Sequence, residues 1–141
     1  MWCLAGSLLL AAPCGWSQEE TETAAGEETT EAERPQAIYI PLEPAFVVNY
    51  GGPGRLHFLK AAVTVRVASD KDAAAIRYHM PYIRNQLIML FGQQTHEVLQ
   101  TLEGKEQLRQ AAFEAIHQLV MEEEGELNLV GVYFNQLILQ N

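Results

Sequence analysis

From Leu59 to Val67 the residues Leu59, Ala61, Val63, Val65 and Val67 alternate with Lys60, Thr64 and Arg66. Successive side chains of a strand point to opposite faces, so this period of two sets one face against a core and the other toward water. A half-buried sheet follows, and the rest of the chain must supply its cover. The strand reads as roughly Arg55 to Ala68. It forms a hairpin with Phe46-Val47-Val48-Asn49-Tyr50 through the turn Gly51-Gly52-Pro53-Gly54. Ala37 to Pro44 is a further extended segment, which its two prolines confine to an edge or a lead-in.

The cover is helical. Ser69 can cap a helix whose first turn holds Asp70 and Asp72, acids that suit the positive end of the helix dipole. The pattern runs to about Phe91, with Ile76, Ile83, Leu87, Leu90 and Phe91 as core contacts and Gly92 as the stop. Pro81 lies inside it, so a kink or a break is expected near Tyr78. Thr95 to Gln100 reads as a short helical turn. Thr101 then caps a longer helix to about Glu122, with Leu108, Ala112, Ala115, Ile116, Leu119 and Val120 as its apolar stripe and Gly125 as its stop. Leu129 to Leu139 is apolar on both faces and is expected in the sheet interior. Strands, helices and a final strand define an α+β domain: an antiparallel or mixed sheet with two main helices on one face.

Ahead of this domain lie two segments of opposite character. Residues 1–17 carry no charge and centre on Leu8-Leu9-Leu10, the length and composition of a secretory h-region, with Gly15 and Ser17 at the small-residue positions of a cleavage site. No base precedes Arg34, so an uncleaved short anchor and lipidation at Cys14 compete with cleavage, although Pro13 directly before Cys14 disfavours lipidation. Residues 18–36 are acidic and rich in Thr and Ala, the composition of a disordered linker. Residues 37–141 then suffice for one core. Of the net charge of −9, residues 1–36 contribute −6, so the domain is only mildly acidic. It has no basic stripe for phosphates, and nucleic acid is not an expected partner. Both cysteines, Cys3 and Cys14, lie in the leader, so cleavage leaves no thiol for a disulfide, a metal site or a nucleophile.

Catalytic patterns are missing from the sequence. His57, His79, His96 and His117 share no metal-ligand spacing, and there is neither a G-x-S-x-G elbow nor a P-loop. Pro53 removes a donor from the glycine-rich turn, which makes it a hairpin rather than a phosphate cradle. Glu122-Glu123-Glu124 reads as a frayed, solvated helix end. No enzyme activity, cofactor or metal is expected.

Four motifs in order carry a resemblance. They are Tyr39-Ile40-Pro41-Leu42-Glu43-Pro44-Ala45-Phe46-Val47-Val48-Asn49, then Pro81-Tyr82-Ile83-Arg84-Asn85-Gln86-Leu87-Ile88, then Leu102-Glu103-Gly104-Lys105-Glu106-Gln107-Leu108-Arg109, and Val132-Tyr133-Phe134 with Leu137-Ile138-Leu139-Gln140. With the valine alternation between them, the chain resembles the FliL family of flagellar basal-body-associated proteins from Ile38 to Gln140. The resemblance implies a stomatin-like (SPFH-like) domain in the periplasm, associated with the inner membrane or the flagellar basal body. It implies a non-enzymatic accessory that assembles with stator and basal-body proteins, forms a homo-oligomeric ring, and supports rotation, motility and chemotaxis. A general periplasmic scaffold or binding module is the alternative. Arg84, Asn85, Glu103, Gly104 and Phe134 become the candidate structural or partner-contact residues. Arg84 and Asn85 are expected to satisfy backbone groups that Pro81 frees, Glu103 to complement the helix dipole, and Gly104 to admit close approach of another segment. Family members ordinarily hold a membrane-spanning helix preceded by basic residues. The leader here has neither, so a periplasmic variant is expected, with membrane association through the leader alone.

Overall fold

The computed structural model describes residues 37–54 and 57–140; the leader and the acidic segment lie outside the described residues. The sheet is built around β3 (His57–Val67), which is paired along both sides. On one side runs β4 (Leu129–Gln140), antiparallel from Phe58↔Gln140 to Val67↔Leu129. That occupies one side of β3 throughout, so β1 (Ile38–Pro41) and β2 (Phe46–Tyr50) share the other side end to end, both antiparallel. Between them the Leu42 N–H donates to the Val63 carbonyl at 2.9 Å, and the Glu43–Pro44 peptide is cis.

The alternation in β3 is realised as read: Leu59, Ala61, Val63, Val65 and Val67 are buried. The position of the last strand is corrected. Among the described residues β4 pairs only with β3 and is an edge strand, not an interior one. Its inward residues Leu129 and Val132 join the core, while Val130, Tyr133 and Ile138 are exposed. An apolar outer face does not place a strand between two others; it only marks surface that this domain leaves uncovered.

Among the described residues four helices cover the inner face: α1 (Asp70–Tyr78), α2 (Met80–Gly92), α3 (His96–Gln100) and α4 (Leu102–Glu124). The expected break falls at His79. Pro81 is therefore not interior but sits in the first turn of α2, where its missing N–H leaves no bond unmade. Gly92 is the last residue of α2 rather than a left-handed stop, and Gln93 caps it. Gly125 does stop α4, with φ of +79° and its N–H donated to the Met121 carbonyl. The core joins the two layers through Phe46, Leu59, Ile76, Ile83, Leu87, Phe91, Leu108 and Ile116, all below 2 % exposure. Each such side chain contributes roughly 1.5–3 kcal/mol by leaving water. Phe46 and Phe91 meet edge to face at 5.4 Å, fastening α2 to β2.

One buried carboxylate ties distant segments together. Asp72 Oδ2 accepts from the Ser69 hydroxyl at 2.5 Å, and Oδ1 accepts from the Asn128 N–H at 3.0 Å, just before β4 begins. Burial pushes the Asp72 carboxyl up, but the bonds from Ser69 and Asn128 outweigh it and hold the group below the usual range. A depressed folded-state pKa stabilises above the unfolded value near ~4 and loses that contribution as pH falls through the folded value. Urea unfolding from pH 7 to pH 2 is expected to show a shallower acid limb for Asp72→Asn than for the wild type. The same variant should lose about 1–3 kcal/mol at neutral pH.

Candidate interaction surface

Arg84 extends from α2 to the link between β1 and β2. Its Nη1 donates to the carbonyls of Leu42 at 3.0 Å and Pro44 at 2.7 Å, and the guanidinium lies 4.2 Å from the centre of the Phe46 ring. The expectation that Arg84 satisfies groups freed by Pro81 is thereby corrected. Pro81 frees none, and the fork holds the strand link instead. Asn85 is exposed on α2.

The motif from Leu102 to Arg109 opens α4 at its junction with α3. The Thr101 hydroxyl accepts from the Gly104 N–H at 2.9 Å and donates to the Val98 carbonyl at 2.8 Å. That carbonyl lies against Gly104 so closely that an added Cβ would stand 1.9 Å from it. Glu103 is exposed in the first turn, and Leu102 beside it is 85 % exposed.

Phe134 is half-buried, meets Phe91 edge to face at 6.0 Å, and looks into a groove of about 340 Å³ between α4 and β4. Leu102, Lys105, Glu106, Arg109, Tyr133 and Leu137 complete its lining. Arg109 is held by Glu106 through a forked contact, Nε to Oε2 at 2.9 Å and Nη2 to Oε1 at 2.5 Å, which draws the Glu106 carboxyl below its ordinary range. Arg109 also reaches the Val132 carbonyl at 3.4 Å.

No described element covers the outer face of the sheet. Tyr39, Val47, Phe58, Tyr133 and Ile138 are exposed there, Val47 at 65 %. Arg66 lies 5.7 Å from the centre of the Tyr39 ring, and a hydrogen bond with Tyr133 raises its pKa first of all. Gly131 leaves room for this arrangement, since a Cβ there would stand 2.9 Å from the Tyr133 hydroxyl. None of the four strands contains an Asp or Glu, although the chain as a whole is acidic. The result is an apolar, weakly cationic sheet face.

Contacts at two places escape sequence reasoning. His57 and His96 stack at 4.4 Å, and Tyr50 Oη lies 2.8 Å from His96 Nδ1, joining α3 to the turn end of the β2–β3 hairpin. His79 Nε2 contacts Glu124 Oε1 at 2.7 Å, so the acidic end of α4 is tied to the α1–α2 break rather than simply solvated. All three pairs join residues far apart in the chain, beyond any local spacing rule. Among the described residues no group of three or more His, Cys, Asp or Glu could hold a metal, and no helix is long and apolar enough to cross a membrane.

Comparison with known proteins matches the sequence to a family. The family described as "Flagellar basal body-associated protein FliL" matches residues 39–140. A relative from Aquifex aeolicus named "Flagellar protein FliL" is 28 % identical over 103 residues, covering 73 % of this chain and 62 % of the relative. One of the same name from Escherichia coli K12 is 27 % identical over 103 residues, covering 72 % and 65 % respectively. The chain thus spans less than two thirds of the length of either relative.

Two substitutions test the framework of this surface. Arg84→Ala is expected to lower stability by about 2 kcal/mol in urea unfolding, because the Leu42 and Pro44 carbonyls, the first part-buried and the second exposed, lose a charged donor and a ring loses its cation. Gly104→Ala must displace the Val98 carbonyl, and should lower the unfolding midpoint by the equivalent of about 2 kcal/mol or more. An ordinary surface Gly→Ala in a helix would instead raise it.

Proposed function

Since the chain belongs to the FliL family of flagellar basal-body-associated proteins, we propose that it is a non-enzymatic accessory of the flagellar motor. It assembles with stator and basal-body proteins and supports rotation, motility and chemotaxis. The family match across residues 39–140, almost the whole described domain, carries this reading. The surface chemistry agrees with it. An open apolar sheet face and a groove beside an edge strand are features that bind other proteins.

In this reading residues 1–17 act as a signal peptide or short membrane anchor, 18–36 as a disordered linker, and 37–141 as a periplasmic domain of stomatin-like (SPFH-like) type. Copies assemble into a ring beside the inner membrane at the flagellar base. Arg84 and Gly104 set the shape of the domain, while Glu103, Asn85 and the exposed side of Phe134 meet partners. The distribution of charge supports contact between copies: the strands lack acids, whereas α4 exposes Glu103, Glu106, Glu114, Glu122 and Glu123.

Deleting the gene should reduce swimming and swarming without abolishing filament assembly, and a fluorescent fusion should gather at flagellar bases. Normal motility with a uniformly spread fusion would instead favour a general periplasmic scaffold and remove the motor assignment.

A further inference from the structure

We propose that His96 is a pH-sensitive latch, which fastens α3 to the turn end of the β2–β3 hairpin while neutral and lets go on gaining a proton. The inference goes beyond the motor reading and concerns how the domain itself responds to acid.

Rings from three elements meet here. Tyr50 ends β2 and is 3 % exposed, His57 begins β3 opposite it, and His96 begins α3. The imidazoles of His57 and His96 stack at 4.4 Å with 16° between their planes, and the Tyr50 ring stacks with His96 at 6.0 Å. The Gly51 N–H donates to the Gln94 carbonyl, on the link between α2 and α3, at 3.2 Å. A Cβ on Gly51 would stand 3.1 Å from the His57 ring, so the turn lies directly on the stack. With five residues α3 has few helical hydrogen bonds of its own, and side contacts hold it in place. Its far end is seated on α4 through the Val98 carbonyl, Thr101 and Gly104, so release at His96 leaves it hinged there.

Hydrogen bonding sets the charge that this arrangement accepts. Tyr50 Oη lies 2.8 Å from His96 Nδ1. Burial pushes the Tyr50 hydroxyl up, so it keeps its proton and has one to donate. A neutral imidazole can accept that proton at Nδ1, whereas a charged one carries N–H on both ring nitrogens and accepts nothing. The phenol oxygen can then accept instead, but its own proton loses its acceptor inside the domain. Gln100 meets Nε2 at 2.7 Å and can turn either end of its amide there, so it suits both states. His57 works in the same direction. Imidazoles ordinarily gain charge between about pH 5 and 8, and two charged rings stacked at this separation repel.

Charges on the neighbouring elements do not reverse this. Glu97 beside His96 favours a charged ring, as does Glu103 at the start of α4, while Lys60 on β3 opposes one; all three are exposed, where water and salt weaken their pull. Lys105 of α4 lines the groove against β4, and Arg84 of α2 is committed to the Leu42 and Pro44 carbonyls. The latched state thus takes up neutral His96. Its contribution is complete above roughly pH 8 and is lost as pH falls toward about 5.

The test is an NMR titration of the isotope-labelled full chain from pH 8 to pH 5. Ring nitrogen shifts follow the charge on His96, and hydrogen exchange at the Gly51 amide, corrected for its intrinsic pH dependence, follows the latch. Protection of Gly51 is expected to fall about tenfold or more with the midpoint at which His96 gains its charge, while the Gly125 amide at the α4 stop changes by less than about twofold. His96→Asn keeps an acceptor for Tyr50 and takes no proton, so its Gly51 protection should stay flat. Tyr50→Phe removes the donor and should reduce the acid response to less than about threefold. His79→Gln removes a histidine at the α1–α2 break and should respond like the wild type. Thermal unfolding at pH 8 should show all three variants folded. The proposal is overturned if His96 stays neutral to pH 5 or gains its charge without a change at Gly51. A full response in His96→Asn or Tyr50→Phe, or a lost one in His79→Gln, also overturns it. Motility on deletion is a separate measurement, so the motor reading stands or falls independently of these outcomes.

Discussion

Pairing on both sides of β3 is the constraint from which the rest of the domain follows. A strand with neighbours on each side has no free backbone groups, so its side chains alone decide which face is covered. The valine alternation makes that decision for the whole sheet. The helices then have one place to go, and the capping groups at Ser69, Thr101 and Gly125 cut them to the lengths that fit. Arg84 and Asp72 complete the frame from opposite ends. One holds the gap in the β1–β2 edge, and the other holds the entry to β4.

Much of this was legible because it is local. Period two at Leu59–Val67, Pro81 as a breaker, Thr101 as a cap and Gly125 as a stop each depend on residues within a few positions of one another. β4 was misplaced for a physical reason. Apolar residues on both faces report that burial is wanted, without saying whether the same chain or another supplies it. The contacts of Arg84 and the stacked His57 and His96 were illegible for a different reason. They join segments about forty residues apart, and only the closed sheet brings them together.

The candidate surface shows the same division. Motifs at Arg84 and Gly104 look functional in sequence because they are unusual, yet their side chains and backbone are spent on internal geometry. Val47, Tyr39 and Leu102, which offer large apolar areas, are ordinary residue types whose exposure their motifs do not reveal. What makes them informative is position, on a sheet face without acids and at the mouth of a groove.

The register also has a mechanical meaning. β1 and β4 both run antiparallel to β3, so the start of β1 at Ile38 and the end of β4 at Gln140 lie at opposite ends of the sheet, opposite Val67 and Phe58. Tension applied between these two points runs along the strands and loads the ladder between β3 and β4 in shear. Its hydrogen bonds share the force side by side instead of parting one at a time, as they would if the strands were peeled from an end. A domain strung between such points resists pull in the direction in which its own chain would transmit it.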